Sequence, residues 1–224
     1  KYRKRVSPDL LRATLRSVSD QITNKFVYAK IGSGYKAAEI NKALELLHKA
    51  GLVIPVTHTN ANGLPLGGEA DSKYRKMLLL DSGLELRMLN MTLGNISEIT
   101  TQILTASVTD LVNKGPIAEM IAGLEILRNQ TPNLKYELFY WTRQARGSQA
   151  EIDYIIAKDG KVTPIEVKAE RQGGMRSLWS FMREKHLKSA IRCSLENFGE
   201  FEVSEDTGES RHIAIHPIYA LSQL

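Results

Sequence analysis

The chain has 224 residues, 42% hydrophobic and 25% charged, with 30 Lys and Arg against 25 Asp and Glu for a formal net charge of +5. That length supports one large domain or two small ones with real cores, no apolar run approaches the roughly 20 residues of a membrane span, and nothing resembles a signal peptide. The lone cysteine, Cys193, excludes an internal disulfide, no Cys/His spacing suggests zinc, and a reducing cytoplasm is the expected compartment.

The positive charge is local: residues 1–50 hold eleven Lys or Arg against four acids. Ser7-Pro8 reads as a helix start, Ser as N-cap and Pro in the first turn, after which Leu10, Leu11, Leu15, Val18 and Ile22 keep a helical period. Gly32-Ser33-Gly34-Tyr35 is a loop without the spacing of a dinucleotide fingerprint. A second helix is expected over 36–50, with Ala37, Ile40, Leu44 and Leu47 on its apolar face and Gly51 as its C-terminal cap. Strands over 52–57 and 73–80 flank a Gly/Pro-rich loop at 60–68, and helices followed by strand, loop and strand suggest a winged helix-turn-helix domain over 1–95. Lys36, Lys42 and Lys49 on its second helix are candidates for contact with DNA phosphates. Lysines there also suit the solvent face of any helix, and winged helices also bind proteins, so a protein partner stays open.

A short helix over 81–89 and a Thr/Ser/Asn-rich connection over 90–109 lead into a second domain, 96–224. Gly115-Pro116 opens a helix to about residue 130, with Ile117, Ile121, Leu124, Ile126 and Leu127 supplying apolar surface. Glu119 in its first turns either complements the helix dipole or faces a site; Glu125, about 240° further round, cannot face the same point. A strand over 134–141 alternates Tyr136, Leu138 and Tyr140 with Glu137, Phe139 and Trp141, and Tyr140 and Trp141 belong to the core rather than to a base-stacking platform. The loop 142–149 brings Arg143 and Arg146 beside the carboxylates that follow, to bind phosphate, to be solvated or to pair with Glu151.

Residues 151–168 form a β-hairpin about Asp159-Gly160, a dipeptide that tolerates the positive φ angles of a tight turn. Lys158 then pairs with Lys161, Asp153 stands opposite Glu166, and Glu151 stands opposite Lys168. Alternation puts Glu151, Asp153, Glu166 and Lys168 on one face and Ile152, Tyr154, Ile156, Ile165 and Val167 on the other. Facing acids repel, so the Asp153 and Glu166 pair requires a metal, a proton or a neighbouring lysine; otherwise the face is simply solvated. Oxygen ligands suit Mg²⁺, with Mn²⁺ as a substitute, and Lys168 could orient a water or offset transition-state charge. Beyond the hairpin, Gly173-Gly174 gives a hinge, Ser177 caps a helix over 177–188 with Leu178, Phe181, Met182 and Leu187 inward, and a strand over 190–195 follows. An acidic turn over 204–211, a strand over 212–217 and a short terminal helix complete the chain.

The hairpin, with Asp153 and Glu166-Val167-Lys168, resembles the core of the PD-(D/E)xK nuclease superfamily. Asn113-Lys114-Gly115-Pro116-Ile117-Ala118-Glu119, Tyr140-Trp141-Thr142-Arg143, Ala150-Glu151-Ile152-Asp153-Tyr154 and Pro164-Ile165-Glu166-Val167-Lys168 come in the order found in prokaryotic AAA-type ATPases whose C-terminal half is a domain of unknown function related to these nucleases. The resemblance covers nearly the whole chain. It implies an α/β fold, a PD-(D/E)xK nuclease-like mixed sheet with flanking helices, preceded by the winged helix; the αβββαβ order read from residue 115 agrees. It further implies catalytic roles for Glu119, Asp153, Glu166 and Lys168, and Mg²⁺ held by Glu119, Asp153 and Glu166. Nucleic acid is the implied partner and phosphodiester cleavage the implied chemistry; the alternative is an inactive regulatory or protein-interaction module of the ATPase. Because the chain opens at Lys1 and contains no G-x-x-x-x-G-K-[ST] phosphate loop, ATP binding is expected only from an ATPase domain upstream.

Overall fold

The computed structural model describes residues 6–89, 114–128, 130, 137–143, 149–169, 174–204 and 210–224. Among them, eight strands form one mixed sheet: β1 (Val53–Thr59), β2 (Ala70–Leu79), β3 (Leu138–Thr142), β4 (Glu151–Lys158), β5 (Lys161–Val167), β6 (Ser189–Ser194), β7 (Gly199–Ser204) and β8 (Ser210–Pro217), in the order β2-β1-β3-β4-β5-β6-β8-β7. The flanking helices are α1 (Pro8–Asp20), α2 (Ala37–Lys49), α3 (Ser82–Met88), α4 (Lys114–Arg128) and α5 (Arg176–Glu184). No helix of the described residues is long and apolar enough to cross a membrane.

Local chemistry explains the helix ends. Ser7 Oγ accepts from the Leu10 N–H at 3.2 Å, and Asp81 Oδ1 accepts from the Leu84 N–H at 2.6 Å, each filling one of the donors that a helix start leaves open. Asp159 and Gly160 both take positive φ, 50° and 71°, and the strands they join pair from Lys158↔Lys161 to Tyr154↔Ile165, the register that the turn dictates. One apolar core gathers Leu10 and Val18 of α1, Ile40 and Leu44 of α2, and Met120 and Ile126 of α4 against Val56, Leu138, Tyr140, Tyr154 and Ile165. A second core packs Leu178, Phe181 and Met182 of α5 against Phe139, Trp141, Ile152, Ile155 and Ile213. The alternation expected along β3 is therefore present, with Tyr140 and Trp141 buried in opposite cores.

The strands expected to form a wing have a different setting. β1 pairs antiparallel with β2 on one side and parallel with β3 on the other, through Val56↔Leu138 to His58↔Tyr140. The N-terminal hairpin thus extends the central sheet, because its pleated edge finds a hydrogen-bonding partner in β3. The boundary expected near residue 95 lies outside the described residues. Elsewhere, α5 runs over Arg176–Glu184 with Met175 as its N-cap, so the helix expected over 177–188 is shorter and is not capped by Ser177. The terminal helix is a 3-10 segment, Ile218–Gln223. β7 is an additional antiparallel edge strand on β8 whose two apolar residues, Phe201 and Val203, give too short an alternation to stand out.

One further departure matters for the site. β3 pairs with β4 as Phe139↔Ile155 and then as Trp141↔Ile152, so Tyr140 opposes both Asp153 and Tyr154. This is a β-bulge, which reverses the alternation of the bulged strand. Ile152 accordingly joins Ile155 in the α5 core, while Tyr154 and Ile156 lie in the α4 core. The expectation that Ile152 shares a face with Tyr154, Ile156, Ile165 and Val167 is corrected for this reason.

Candidate metal centre

Helix α4 approaches the sheet closely because it carries Gly123. A Cβ there would stand 2.4 Å from the Tyr154 hydroxyl oxygen and 2.8 Å from Leu78 Cδ1, separations that no side chain tolerates. Tyr154 in turn donates its hydroxyl to the Glu119 carbonyl at 2.7 Å, tying the first turns of α4 to the bulged part of β4. Glu119, Glu151 and Asp153 then each offer a carboxylate oxygen, and the three oxygens lie within 4.8 Å of one another. Glu125 points elsewhere and pairs with Arg128 at 2.6 Å.

An ammonium sits among these acids. Lys76 of β2 is 1% exposed, and its Nζ lies 2.7 Å from Glu119 Oε1 and 2.5 Å from Glu151 Oε1. It also stands 5.0 Å from the centroid of the Tyr140 ring, an attractive position for a cation. Burial pulls the Lys76 ammonium towards its neutral form, but the Glu119, Glu151 and Asp153 carboxylates outweigh that effect and hold its pKa above the ordinary value.

The remaining two sequence-predicted residues stand at the end of β5. Lys168 Nζ, half-buried, lies 2.6 Å from Glu166 Oε1. Asp153 links them to the triplet, since its Oδ2 accepts the Val167 N–H at 2.7 Å. Glu166 is not part of any carboxylate triplet of this kind among the described residues. It nonetheless feels its neighbours: burial pushes its carboxyl up to about 7, Asp153 adds to the rise, and Lys168 opposes it. Burial likewise raises Glu119 to about 8 against the pull of Lys76, and raises Asp153 against Lys76 and the Val167 N–H.

Two observations bear on whether these residues fit a divalent cation. Glu119, Glu151, Asp153 and Glu166 face two ammonium groups, Lys76 and Lys168, so full ionisation leaves two negative charges uncompensated. Glu166 Oε2 is also buried without any hydrogen-bond partner, in a side chain only 6% exposed. An orphaned carboxylate oxygen among acids that carry, when ionised, two negative charges more than their lysines match suits a hard dication with oxygen ligands, the preference of Mg²⁺ and Mn²⁺.

Residues 114–213 match the family described as domain of unknown function DUF4143. That domain is found C-terminal to AAA ATPase domains in many bacterial proteins. Residues 1–94 match a second family, described as domain of unknown function DUF8612. No curated protein and no solved structure matched the chain. The two matches divide the acidic group between them: Lys76 belongs to the first segment, and Glu119, Glu151, Asp153, Glu166 and Lys168 belong to the second.

The residues expected to contact nucleic acid lie apart in kind. Lys36 precedes α2 and Lys49 ends it, both exposed, while Lys42 is half-buried between them. Arg143 holds Glu184 at 2.5 Å and lies over the Trp141 ring at 5.7 Å. Arg146 lies outside the described residues. Sequence reasoning assigned no role to Lys76 and gave Glu151 none in metal binding. The signal for Lys76 was its place within a strand, immediately before Met77-Leu78-Leu79, where a lysine needs a buried partner.

Proposed function

We propose that this chain is the C-terminal part of an AAA-type ATPase, directed at nucleic acid, and that its second segment is a nuclease-like module which binds Mg²⁺ and cleaves phosphodiesters. The observation that carries this reading is the set of four neighbouring carboxylates, whose burial opposes ionisation of Glu119, Asp153 and Glu166, with a buried orphan oxygen on Glu166. The meander β3-β4-β5, followed by α5 and the parallel strand β6, supports the nuclease-like assignment. The family match supports the ATPase context.

In this reading Asp153 and Glu166 hold the cation beside the Lys76-paired Glu119, and a bound divalent ion would supply Lewis-acid polarisation of a phosphoryl oxygen. Lys168, half-buried and paired with Glu166, can turn towards a substrate phosphate and offset the charge that develops there. Exposed Lys36 and Lys49 offer contacts to the phosphate backbone, whose affinity would fall steeply between about 50 and 200 mM salt through counterion release.

A second reading, an inactive regulatory or protein-interaction module, is favoured by Lys76, whose ammonium already bridges Glu119 and Glu151. Calorimetric titration with Mn²⁺ and Mg²⁺, alongside an oligonucleotide cleavage assay, separates the two. The metal-dependent reading expects millimolar or tighter binding that Asp153→Asn abolishes, together with cleavage that Lys168→Ala lowers by on the order of 10² while metal binding survives. Absence of binding in the parent protein selects the inactive module.

A further inference from the structure

We propose that Lys76 is a built-in cation of the carboxylate site, occupying one of two cation positions and so limiting the site to a single divalent ion. The inference rests on the reading that these carboxylates accept a divalent ion, and it assigns to the N-terminal segment a residue that decides how many.

Lys76 is fixed in place by its strand. Its backbone pairs with Val56 of β1 on one side and forms an isolated antiparallel bridge with Lys25 on the other. Three N–H donors leave its ammonium, and three groups surround it: the Glu119 carboxylate at 2.7 Å, the Glu151 carboxylate at 2.5 Å and the face of Tyr140 at 5.0 Å. With the Lys76 side chain 1% exposed, water does not reach the ammonium, whereas Glu151 keeps its outer edge open to solvent. An ammonium so placed does electrostatically what a dication between Glu119 and Glu151 would do, at half the charge.

The four carboxylates therefore fall into two pairs. Glu119 and Glu151 are already bridged by a cation. Asp153 and Glu166 are joined through the backbone of Val167 and keep the orphaned Glu166 Oε2 on their side. With all four acids ionised the count agrees, since the two negative charges that Lys76 and Lys168 leave unmatched are met by one dication. Removal of the ammonium leaves three, and opens the Glu119 and Glu151 pair to a second ion.

The test uses Mn²⁺ alone as the probe, by calorimetry and by electron paramagnetic resonance of free against bound ion, on the whole chain. The parent is expected to bind one Mn²⁺, Lys76→Met two, and Lys76→Met/Glu119→Gln one. Lys76→Met is also expected to melt well below the parent without metal and to recover most of that loss in millimolar Mn²⁺. The double variant, which removes a positive and a negative charge together, is expected to recover little. One ion in both parent and Lys76→Met, at affinities within twofold, overturns the inference and leaves the proposed function standing. No ion in the parent but one in Lys76→Met overturns the inference as stated, since it leaves a single cation position that Lys76 fills, and refutes metal dependence of the parent. No ion in either, or no recovery of Lys76→Met by Mn²⁺, overturns the inference.

Discussion

Strand β2 and the end of β5 each bring a lysine to a different part of one acidic group, and the two lysines are not equivalent. Lys76 is 1% exposed, bridges two carboxylates and sits in a strand hydrogen-bonded on both sides. Lys168 is 27% exposed, holds Glu166 alone and stands just past the end of its strand. A buried ammonium that satisfies two acids is a fixed counter-charge, since moving it would leave the buried Glu119 carboxylate without a partner. A half-exposed ammonium at a strand end can exchange its carboxylate for a phosphate at little cost.

The largest test of that contrast is stability. Lys76→Met is expected to cost about 3–5 kcal/mol in urea unfolding without divalent ions, the scale of breaking a buried ion pair by removing one partner. Lys168→Met is expected to cost about 1 kcal/mol, because Glu166 can answer the loss by taking up a proton. Equal costs would erase the distinction between a structural and a functional lysine.

The pH dependence of stability sharpens it. Glu166 at about 7 and Glu119 at about 8 both titrate above the 4.5 of an unperturbed glutamate. The folded protein then binds more protons than the unfolded chain between these limits. The contribution of these two groups to stability without metal is therefore full below about pH 4.5 and is lost as pH rises towards 8, by up to about 1.4 kcal/mol per pH unit for each group. Saturating Mg²⁺ should flatten this slope, and Lys168→Met should extend it upward by raising Glu166 further. Urea midpoints measured from pH 5 to 8.5 check the sign; a stability that rises across this range would remove the crowding of acids on which the site depends.

A smaller effect probes how the acids are brought together. Gly123→Ala places a Cβ against Tyr154 and Leu78 and should cost about 1–3 kcal/mol, the usual penalty of overpacking, despite the better helix propensity of alanine. Adding Tyr154→Phe removes the nearest clashing atom and should recover part of that loss. If Gly123→Ala also weakens Mn²⁺ binding, α4 sets the position of Glu119; unchanged affinity would show that Asp153 and Glu166 suffice.

Much of the fold was legible because its signals are local. Ser7-Pro8 and Asp81 announce helix starts, and Asp159-Gly160 sets a turn whose chemistry admits one register, so the pairing of Lys158 with Lys161 and of Tyr154 with Ile165 could be counted from the sequence. The same counting placed Glu151 and Asp153 close together at the open end of the hairpin. It also showed that acids so crowded require a proton, a metal or a lysine.

The tertiary structure decided which. The bulge opposite Tyr140 reverses the alternation of β4, an event set by the pairing of β3 with β4 and invisible in either strand alone. Lys76 reaches Glu119 and Glu151 from 43 and 75 residues away along the chain, because β1 hydrogen-bonds to β3 and carries β2 with it into the shared sheet. Local sequence specifies turns, caps and periodicity, since these depend on neighbours a few residues apart. Which cation answers a buried carboxylate depends on contacts across the sheet, and those exist only once the long-range pairing of strands has brought the two segments together.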